Sequence, residues 1–124
     1  MKRENKPWGH YVVLFKGNGY QLKRIEIKPG LRFSLQKHSE RAETWVILSG
    51  RGTATLGKKT VSVRRGRVLH VGVRQAHRMH NRDKKKPLVF IEVQLGKYLG
   101  EDDVVRLQDD FNRVTKGSRA GKQS

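Results

Sequence analysis

Short segments in which apolar and polar residues alternate recur along most of this 124-residue chain. Such alternation has the period of a β-strand, which places successive side chains on opposite faces. The residues between segments, such as Lys-Gly-Asn-Gly at 16–19 and Pro-Gly at 29–30, favour tight turns. Many short strands at this spacing predict an all-β protein, an antiparallel sandwich or barrel. The predicted strands are 11–15, 20–27, 31–38, 43–48, 53–56, 60–63, 68–71, 76–80 and 87–94.

Length and composition indicate how many domains the chain forms and which kinds of site it lacks. The length fits one domain, which we place at 1–111, and we expect the basic residues 112–124 to form a flexible tail. A weak helical pattern at 100–111 predicts a short helix or an irregular cover. The chain lacks cysteine, which excludes disulfides and thiolate metal sites. No apolar run approaches the length of a membrane span, so we expect a cytoplasmic protein without a membrane partner.

The formal net charge of +17 favours anionic partners. The two partner classes that it suggests are phosphorylated metabolites and nucleic acid. The basic residues are scattered over strands and turns, which is more typical of a solvated surface than of a binding stripe. Clustered aromatic residues beside the charges are lacking, so nucleic acid is the less favoured partner.

Three polar residues are positioned to meet on neighbouring strands. Alternation places Gln36 and His38 on one face of the 31–38 strand, with Phe33 and Leu35 on the other. Glu43 leads the next strand, on the same face as Trp45. An amide oxygen, an imidazole and a carboxylate are suitable ligands for a divalent metal of middling softness. A downstream segment, 66–81, offers His77 as a fourth ligand.

Two glycine-bounded motifs resemble the signatures of the cupin superfamily. The first aligns Gly30, Gln36, His38, Glu43 and Gly50 with the usual intervals, with Gln at the first ligand position. The second supplies Gly66, His77 and Asn81, with Gly72 where Pro is usual and Arg74 where Gly is usual. The resemblance implies a cupin-type antiparallel β-barrel or jelly roll.

Further motifs resemble one branch of that superfamily, the type II mannose-6-phosphate isomerase domain found behind a mannose-1-phosphate guanylyltransferase. They are Lys-Pro-Trp-Gly-His-Tyr at 6–11, the segments 20–30 and 34–45, and Glu-Val-Gln within 92–106; the match covers roughly 6–113. Gln at the first ligand position is normal in that branch. The resemblance implies interconversion of mannose 6-phosphate and fructose 6-phosphate through a cis-enediol. It implies one divalent metal ion, which could be Zn, Co, Ni, Mn or Fe. The metal ligands that it implies are Gln36, His38, Glu43 and His77.

The reaction also requires a proton carrier and a cation for the phosphate. We assign catalytic roles to Glu43 and Arg41, and substrate binding to Lys23 and Arg41. Lys23 shares a strand face with Ile25, so it should point inward and need an anionic partner. Simpler alternatives are that Glu43 only pairs with Arg41 or Lys23, and that Lys23 reaches out to solvent at the barrel rim.

Two positions beside the first motif depart from the branch, which usually has histidines where this chain has Glu40 and Thr44. Glu40 could approach the metal or pair with Arg41. These differences leave a second function open, a non-catalytic or differently specific cupin that binds a sugar or nucleotide-sugar. A basic nucleic-acid-binding barrel is a third. We expect Phe33 and Leu35 to form an exposed apolar face, and such a face suggests a homodimer.

Overall fold

The computed structural model describes residues 2–114, and these form eleven β-strands without a helix. The strands are β1 Arg3–Lys6, β2 Gly9–Lys16, β3 Tyr20–Ile27, β4 Leu35–Lys37, β5 Arg41–Ser49, β6 Arg51–Leu56, β7 Lys59–Arg64, β8 Val68–Val71, β9 His77–Asn81, β10 Leu88–Gly96 and β11 Val105–Gln108. No helix of the described residues has the length and apolar character to cross a membrane. The all-β prediction is confirmed. Of the predicted tail, 115–124 lies outside the described residues.

Two antiparallel sheets face each other. The larger sheet has the order β1-β2-β3-β10-β5-β8, and the smaller has the order β11-β4-β9-β6-β7. Because β5 and β6 follow each other but lie in different sheets, the chain crosses between layers at Gly50. Gly50 has φ 90°, and a Cβ there would lie 2.5 Å from the carbonyl oxygen of Pro87. A side chain at this crossing would therefore be both strained and obstructed.

The core fills the space between the sheets with the inward sets predicted from alternation. In β5, Trp45 and Ile47 are almost fully buried while Leu48 is exposed, as the pattern indicated. The buried apolar residues are Trp8, Tyr11, Ile25, Ile27, Phe33, Trp45, Ile47, Ala54, Val63, Leu69, Val71, Met79, Leu88 and Phe90. One end of this interior contains charged side chains instead of apolar ones, and that end is the candidate site.

Two expectations about local structure were wrong. The 31–38 segment is regular only at β4, and Phe33 lies in the core, 4% exposed, against Trp8 and Trp45. Simple alternation fails here because residues 31–34 are not in a regular strand and make only one isolated bridge, between Arg32 and His80. The exposed apolar face assumed for Phe33 does not exist, and the homodimer stays a prediction without that support.

The segment 100–111 was predicted to be a short helix or an irregular cover, and the helical alternative is wrong. The segment instead contributes β11, which pairs with β4 and extends the smaller sheet. Its apolar residues do not face one common core as a helix stripe would. Arg78 holds the strand in place from β9, donating from its guanidinium to the Gln108 carbonyl and side chain and to the Phe33 carbonyl. Neighbouring strands, not local propensity, decide the conformation here.

Candidate metal centre

Three strands bring His38, Glu43 and His77 together at one end of the interior. His38 directly follows β4, Glu43 is the third residue of β5 on its inward face, and His77 begins β9. Gln36 in β4 lies opposite His77 in the strand register. His38, Glu43 and His77 are each at least 95% buried. The two motifs are about forty residues apart in sequence, and antiparallel pairing places them side by side.

The potential ligand atoms of these three residues all lie within 4.8 Å of one another. The Nε2 atom of His38 is 3.3 Å from Oε2 of Glu43, and Nε2 of His77 is 3.7 Å from Oε1. The two imidazole rings have centroids 4.9 Å apart. Among residues 2–114 this is the one such group of His, Asp or Glu side chains found. The convergence that the sequence suggested for His38, Glu43 and His77 is present.

The opposite nitrogen of each ring is held by a backbone carbonyl. Nδ1 of His38 lies 2.5 Å from the carbonyl oxygen of Asp103, and Nδ1 of His77 lies 2.9 Å from that of Gln75. A carbonyl can only accept, so each Nδ1 must carry the proton and each Nε2 presents a lone pair toward Glu43. This is the orientation that ligating imidazoles adopt around a metal, and the donor set fits a divalent ion.

Both imidazoles are kept neutral, as coordination requires. Burial lowers the pKa of His38 to about 4, helped by the charge of Arg41. Burial likewise lowers the pKa of His77. At neutral pH, therefore, neither imidazole needs to lose a proton before a metal ion could bind.

Gln36 lies at the edge of this group. It is half-buried and lines the same cavity as His38 and Glu43. An amide oxygen is a weak metal ligand, so its predicted place in the coordination shell stays a prediction.

Arg41 is buried in direct contact with two of the three residues. Its Nε donates to Oε2 of Glu43 at 2.9 Å, and Nη2 is 3.2 Å from Nε2 of His38. Burial alone would lower the pKa of Arg41, but the charges of Glu43 and Glu92 outweigh it and raise the pKa. Within the described residues, Nη1 of Arg41 is a buried polar atom without a hydrogen-bond partner. Leaving a buried donor unpaired is energetically costly, so this atom is able to donate to a further acceptor.

Lys23 points inward, as its strand face predicted. The residue is 3% exposed, its ammonium lies 4.1 Å from the centre of the Tyr11 ring, and it forms a salt bridge with Glu101. The anionic partner that a buried lysine needs is therefore Glu101, and the alternative of a rim lysine reaching solvent does not apply. The other proposed pairing, of Glu43 with Arg41, is present.

Sequence reasoning missed a second buried carboxylate, Glu92 in β10. Trp45 Nε1 donates to Glu43 at 3.0 Å and to Glu92 at 3.1 Å, so the indole bridges the two acids. Gln94 donates to the other oxygen of Glu92 at 2.7 Å. Burial raises the pKa of Glu92 to about 7, with Glu43 adding to the shift and Lys23 opposing it. The available signal was a carboxylate on the same strand face as Phe90, which alternation directs into the core.

The structure shows where the residues that depart from the branch pattern, Glu40, Thr44 and Arg74, lie. Glu40 is exposed and its backbone N–H donates to Asp103, while Arg41 pairs with Glu43 instead. Thr44 is on the outer face of β5, bonded to His70. Arg74 has φ 63°, the left-handed conformation that a glycine adopts without strain. Its N–H donates to the carbonyl of His38, so this turn adjoins the site.

Comparison with known proteins identifies the family of this chain. A family model described as "Mannose-6-phosphate isomerase C-terminal" matches residues 2–109. The xanthan biosynthesis protein XanB of Xanthomonas campestris is 42% identical over 109 residues, 88% of this chain. The alginate biosynthesis protein AlgA of Pseudomonas aeruginosa is 41% identical over 90% of the chain. A Salmonella typhimurium mannose-1-phosphate guanylyltransferase, ManC, is 39% identical over 88%. The chain spans about a quarter of the length of these relatives.

Solved structures support the fold. The cupin domain of Schizosaccharomyces pombe Cnp3 superposes with a TM-score of 0.70 at 14% identity, covering 77% of this chain and 69% of that one. Lactobacillus farciminis oxalate decarboxylase gives 0.74 at 18% identity, covering 86% of this chain and 33% of that one. At such identities the likeness concerns the fold alone. The cupin architecture, the matched family model and the relatives together show that this chain belongs to the mannose-6-phosphate isomerase C-terminal family.

Proposed function

We propose that this protein is a metal-dependent isomerase that interconverts mannose 6-phosphate and fructose 6-phosphate. The observation that carries the proposal is the convergence of His38, Glu43 and His77 with both Nε2 atoms turned toward the Glu43 carboxylate. Membership of the family supports a sugar phosphate as the substrate. The other activities of these longer relatives are not assigned to this chain, which matches about a quarter of their length.

His38, Glu43 and His77 would hold the ion, with Gln36 as the fourth ligand. Two nitrogen donors and a carboxylate suit Zn, Co, Ni, Mn and Fe, so the donor set does not select one metal. A bound divalent ion would lower the energy of negative charge on the substrate's carbonyl and hydroxyl oxygens.

The remaining steps fall to side chains around the cluster. Isomerisation moves a proton between two neighbouring sugar carbons, and a carboxylate or an imidazole must carry it. We assign this to Glu43, with Arg41 Nη1 donating to the oxygen where charge develops. Glu92, whose pKa is raised to about 7, lines the same cavity and is the alternative carrier.

The cavity also offers cations for the phosphate. Its lining includes Lys6, Lys23, Arg41, Arg106 and Arg113. Arg41 is engaged by Glu43 and His38, and Lys23 by Glu101. We assign substrate contact to both, with Lys23 turning from Glu101 to the phosphate. An excess of cations over acids at the cavity wall favours an anionic substrate.

The test is an NMR assay of mannose 6-phosphate with the purified, metal-stripped protein and each of the five divalent metals in turn. We expect fructose 6-phosphate to form with at least one metal and the reaction to stop on adding chelator. Glu43→Gln should abolish turnover, while the matched control Glu26→Gln, at a half-buried outward position on β3, should retain it. No turnover with any metal would refute the isomerase.

The same experiment separates the second candidate, a sugar-binding cupin without activity. Saturable binding of the sugar phosphate, seen as chemical-shift changes that Arg41→Gln removes, together with no turnover, would support that protein instead. The sheltered donor Nη1 of Arg41 favours binding of an oxygen-rich ligand in either case.

A further inference from the structure

Four arginines converge on the outer face of the smaller sheet, far from the metal centre. Arg51 in β6 and Arg64 in β7 are Cα partners in the antiparallel register, and both are exposed. The next pair on the same face of the two strands, two positions further along, is Thr53 with Ser62. Arg82 Nε donates to Oγ1 of Thr53 at 3.1 Å, and Arg67 Nη1 donates to the Ser62 carbonyl at 3.2 Å. We call Arg51, Arg64, Arg67 and Arg82 the arginine cluster.

The charge around this cluster is barely compensated. Residues 51–86 contain twelve of the 28 lysines and arginines and a single acid, Asp83. Eleven of those twelve cations are exposed, the exception being Arg78. The Asp83 carboxylate accepts from the backbone N–H groups of Lys85 and Lys86 and lies 3.5 Å from Nε of Arg51. One carboxylate cannot balance four guanidinium groups and the lysines at 84–86.

Like charges directly opposite each other on paired strands destabilise a sheet. The register of β6 and β7 fixes Arg51 and Arg64 in that arrangement. Thr53 and Ser62, two positions further along on the same face, show that uncharged residues fit there. An external anion would relieve the repulsion by lying across both side chains.

We propose that the arginine cluster, with the adjoining lysines at 84–86, binds the phosphodiester backbone of duplex nucleic acid. Guanidinium groups match phosphate oxygens with two parallel hydrogen bonds, which lysine cannot do. The exposed residues at 51, 64–67 and 82–86 include no aromatic side chain. Base stacking on single strands and aromatic anchoring in a bilayer both need such side chains. What this surface offers is contact with phosphates, without sequence preference.

The cluster is separate from the metal centre. His77, at the start of β9, pairs with Leu56 beside the β6–β7 turn, whereas Asn81, at its end, pairs with Gly52 beside Arg51. Four residue steps along a strand correspond to about 13 Å. The inference therefore does not depend on the proposed isomerase activity, and its test does not use that activity.

The experiment measures fluorescence anisotropy of a short labelled DNA duplex of arbitrary sequence, with the full chain, from about 50 to about 200 mM salt. We expect binding whose logarithm falls linearly with the logarithm of salt concentration. The triple variant Arg51→Gln, Arg64→Gln, Arg82→Gln should bind more weakly by at least tenfold at low salt. Its salt slope should fall by up to about 3, since each phosphate contact contributes about 0.9.

The matched control is Lys58→Gln, Lys59→Gln, Lys97→Gln, which removes the same charge from exposed positions outside the cluster. It should retain most of the affinity and slope. Equal losses in the two variants would mean that net charge alone attracts DNA, and would overturn the proposal. So would absence of duplex binding at low salt, or binding to vesicles containing phosphatidylserine without binding to the duplex. Circular dichroism melts check that both variants fold.

Discussion

The two ends of this barrel treat charge in opposite ways. At the end that holds the candidate metal site, Arg41 and Lys23 are buried and each has a carboxylate partner, Glu43 and Glu101. At the arginine-cluster end, Arg51 and Arg64 are exposed and lie opposite each other. Burial makes an unpaired charge very costly, whereas water screens exposed ones. Each buried charge is therefore paired with an opposite charge, whereas exposed like charges are tolerated side by side. Removing a charge should lower the stability at the buried end and raise it slightly at the exposed end.

The largest expected effect is at the buried end. Glu43→Gln leaves the Arg41 guanidinium buried without its carboxylate, and we expect it to lower the free energy of unfolding by about 3–5 kcal/mol. Urea denaturation of the metal-free protein measures this. The double variant Glu43→Gln, Arg41→Met should recover part of the loss, because the uncompensated charge is then gone. A single variant as stable as the parent would contradict the comparison.

The second effect is a pH dependence of stability that arises from His38 at the same end. Burial lowers the pKa of His38 to about 4 from an ordinary value of 6.5, so between these values the unfolded chain binds the proton more tightly. The contribution to stability is complete above pH 6.5 and is lost as the pH falls toward 4. Thermal melts of the metal-free protein should show this decline, and His38→Asn should weaken it. A decline that His38→Asn leaves unchanged would contradict this assignment.

A smaller effect is expected at the turn beside His38. Arg74 has φ 63°, where a side chain costs about 1–2 kcal/mol and glycine costs little. Arg74→Gly should raise the free energy of unfolding by about 1 kcal/mol, seen as a higher Tm. Arg65→Gly is the matched control, since φ of Arg65 is not in the left-handed region, and it should not stabilise. A loss of stability in Arg74→Gly would mean that its side chain has a contact that outweighs the strain.

The smallest effect is at the exposed end and has the opposite sign to that of Glu43→Gln. Arg64→Thr removes one of two facing like charges and adds a residue that favours strands, so we expect stabilisation of about 0.2–1 kcal/mol. The part due to charge should shrink at high salt, because exposed charges are screened. Urea denaturation at low and high salt measures both. If Arg64→Thr destabilised the protein at low salt, removal of a charge would have the same sign at both ends, which contradicts the comparison.

Much of the architecture could be predicted from the sequence, because alternation over 20–27 and 43–48 repeats long enough to assign faces. The prediction failed where neighbours overrule local pattern. At 31–34 the chain leaves strand geometry and buries Phe33, and at 100–111 the spacing of apolar residues resembled a helix although β4 recruits 105–108 as a strand. Of the site, His38, Glu43 and His77 were found by motif spacing. Glu92 and Glu101 were missed because their roles depend on contacts with Trp45 and Lys23.

The sequence by itself determined which residues point inward along each long strand, since a period of two leaves no other arrangement once one face is apolar. It also determined that the chain would be strongly cationic. Tertiary structure alone decided which charges meet: that Lys23 binds Glu101, that Arg41 contacts both His38 and Glu43, and that Arg51 lies opposite Arg64. The physical reason is that strand register and the crossing between sheets bring together residues far apart in the chain, and local pattern does not encode register across distant strands.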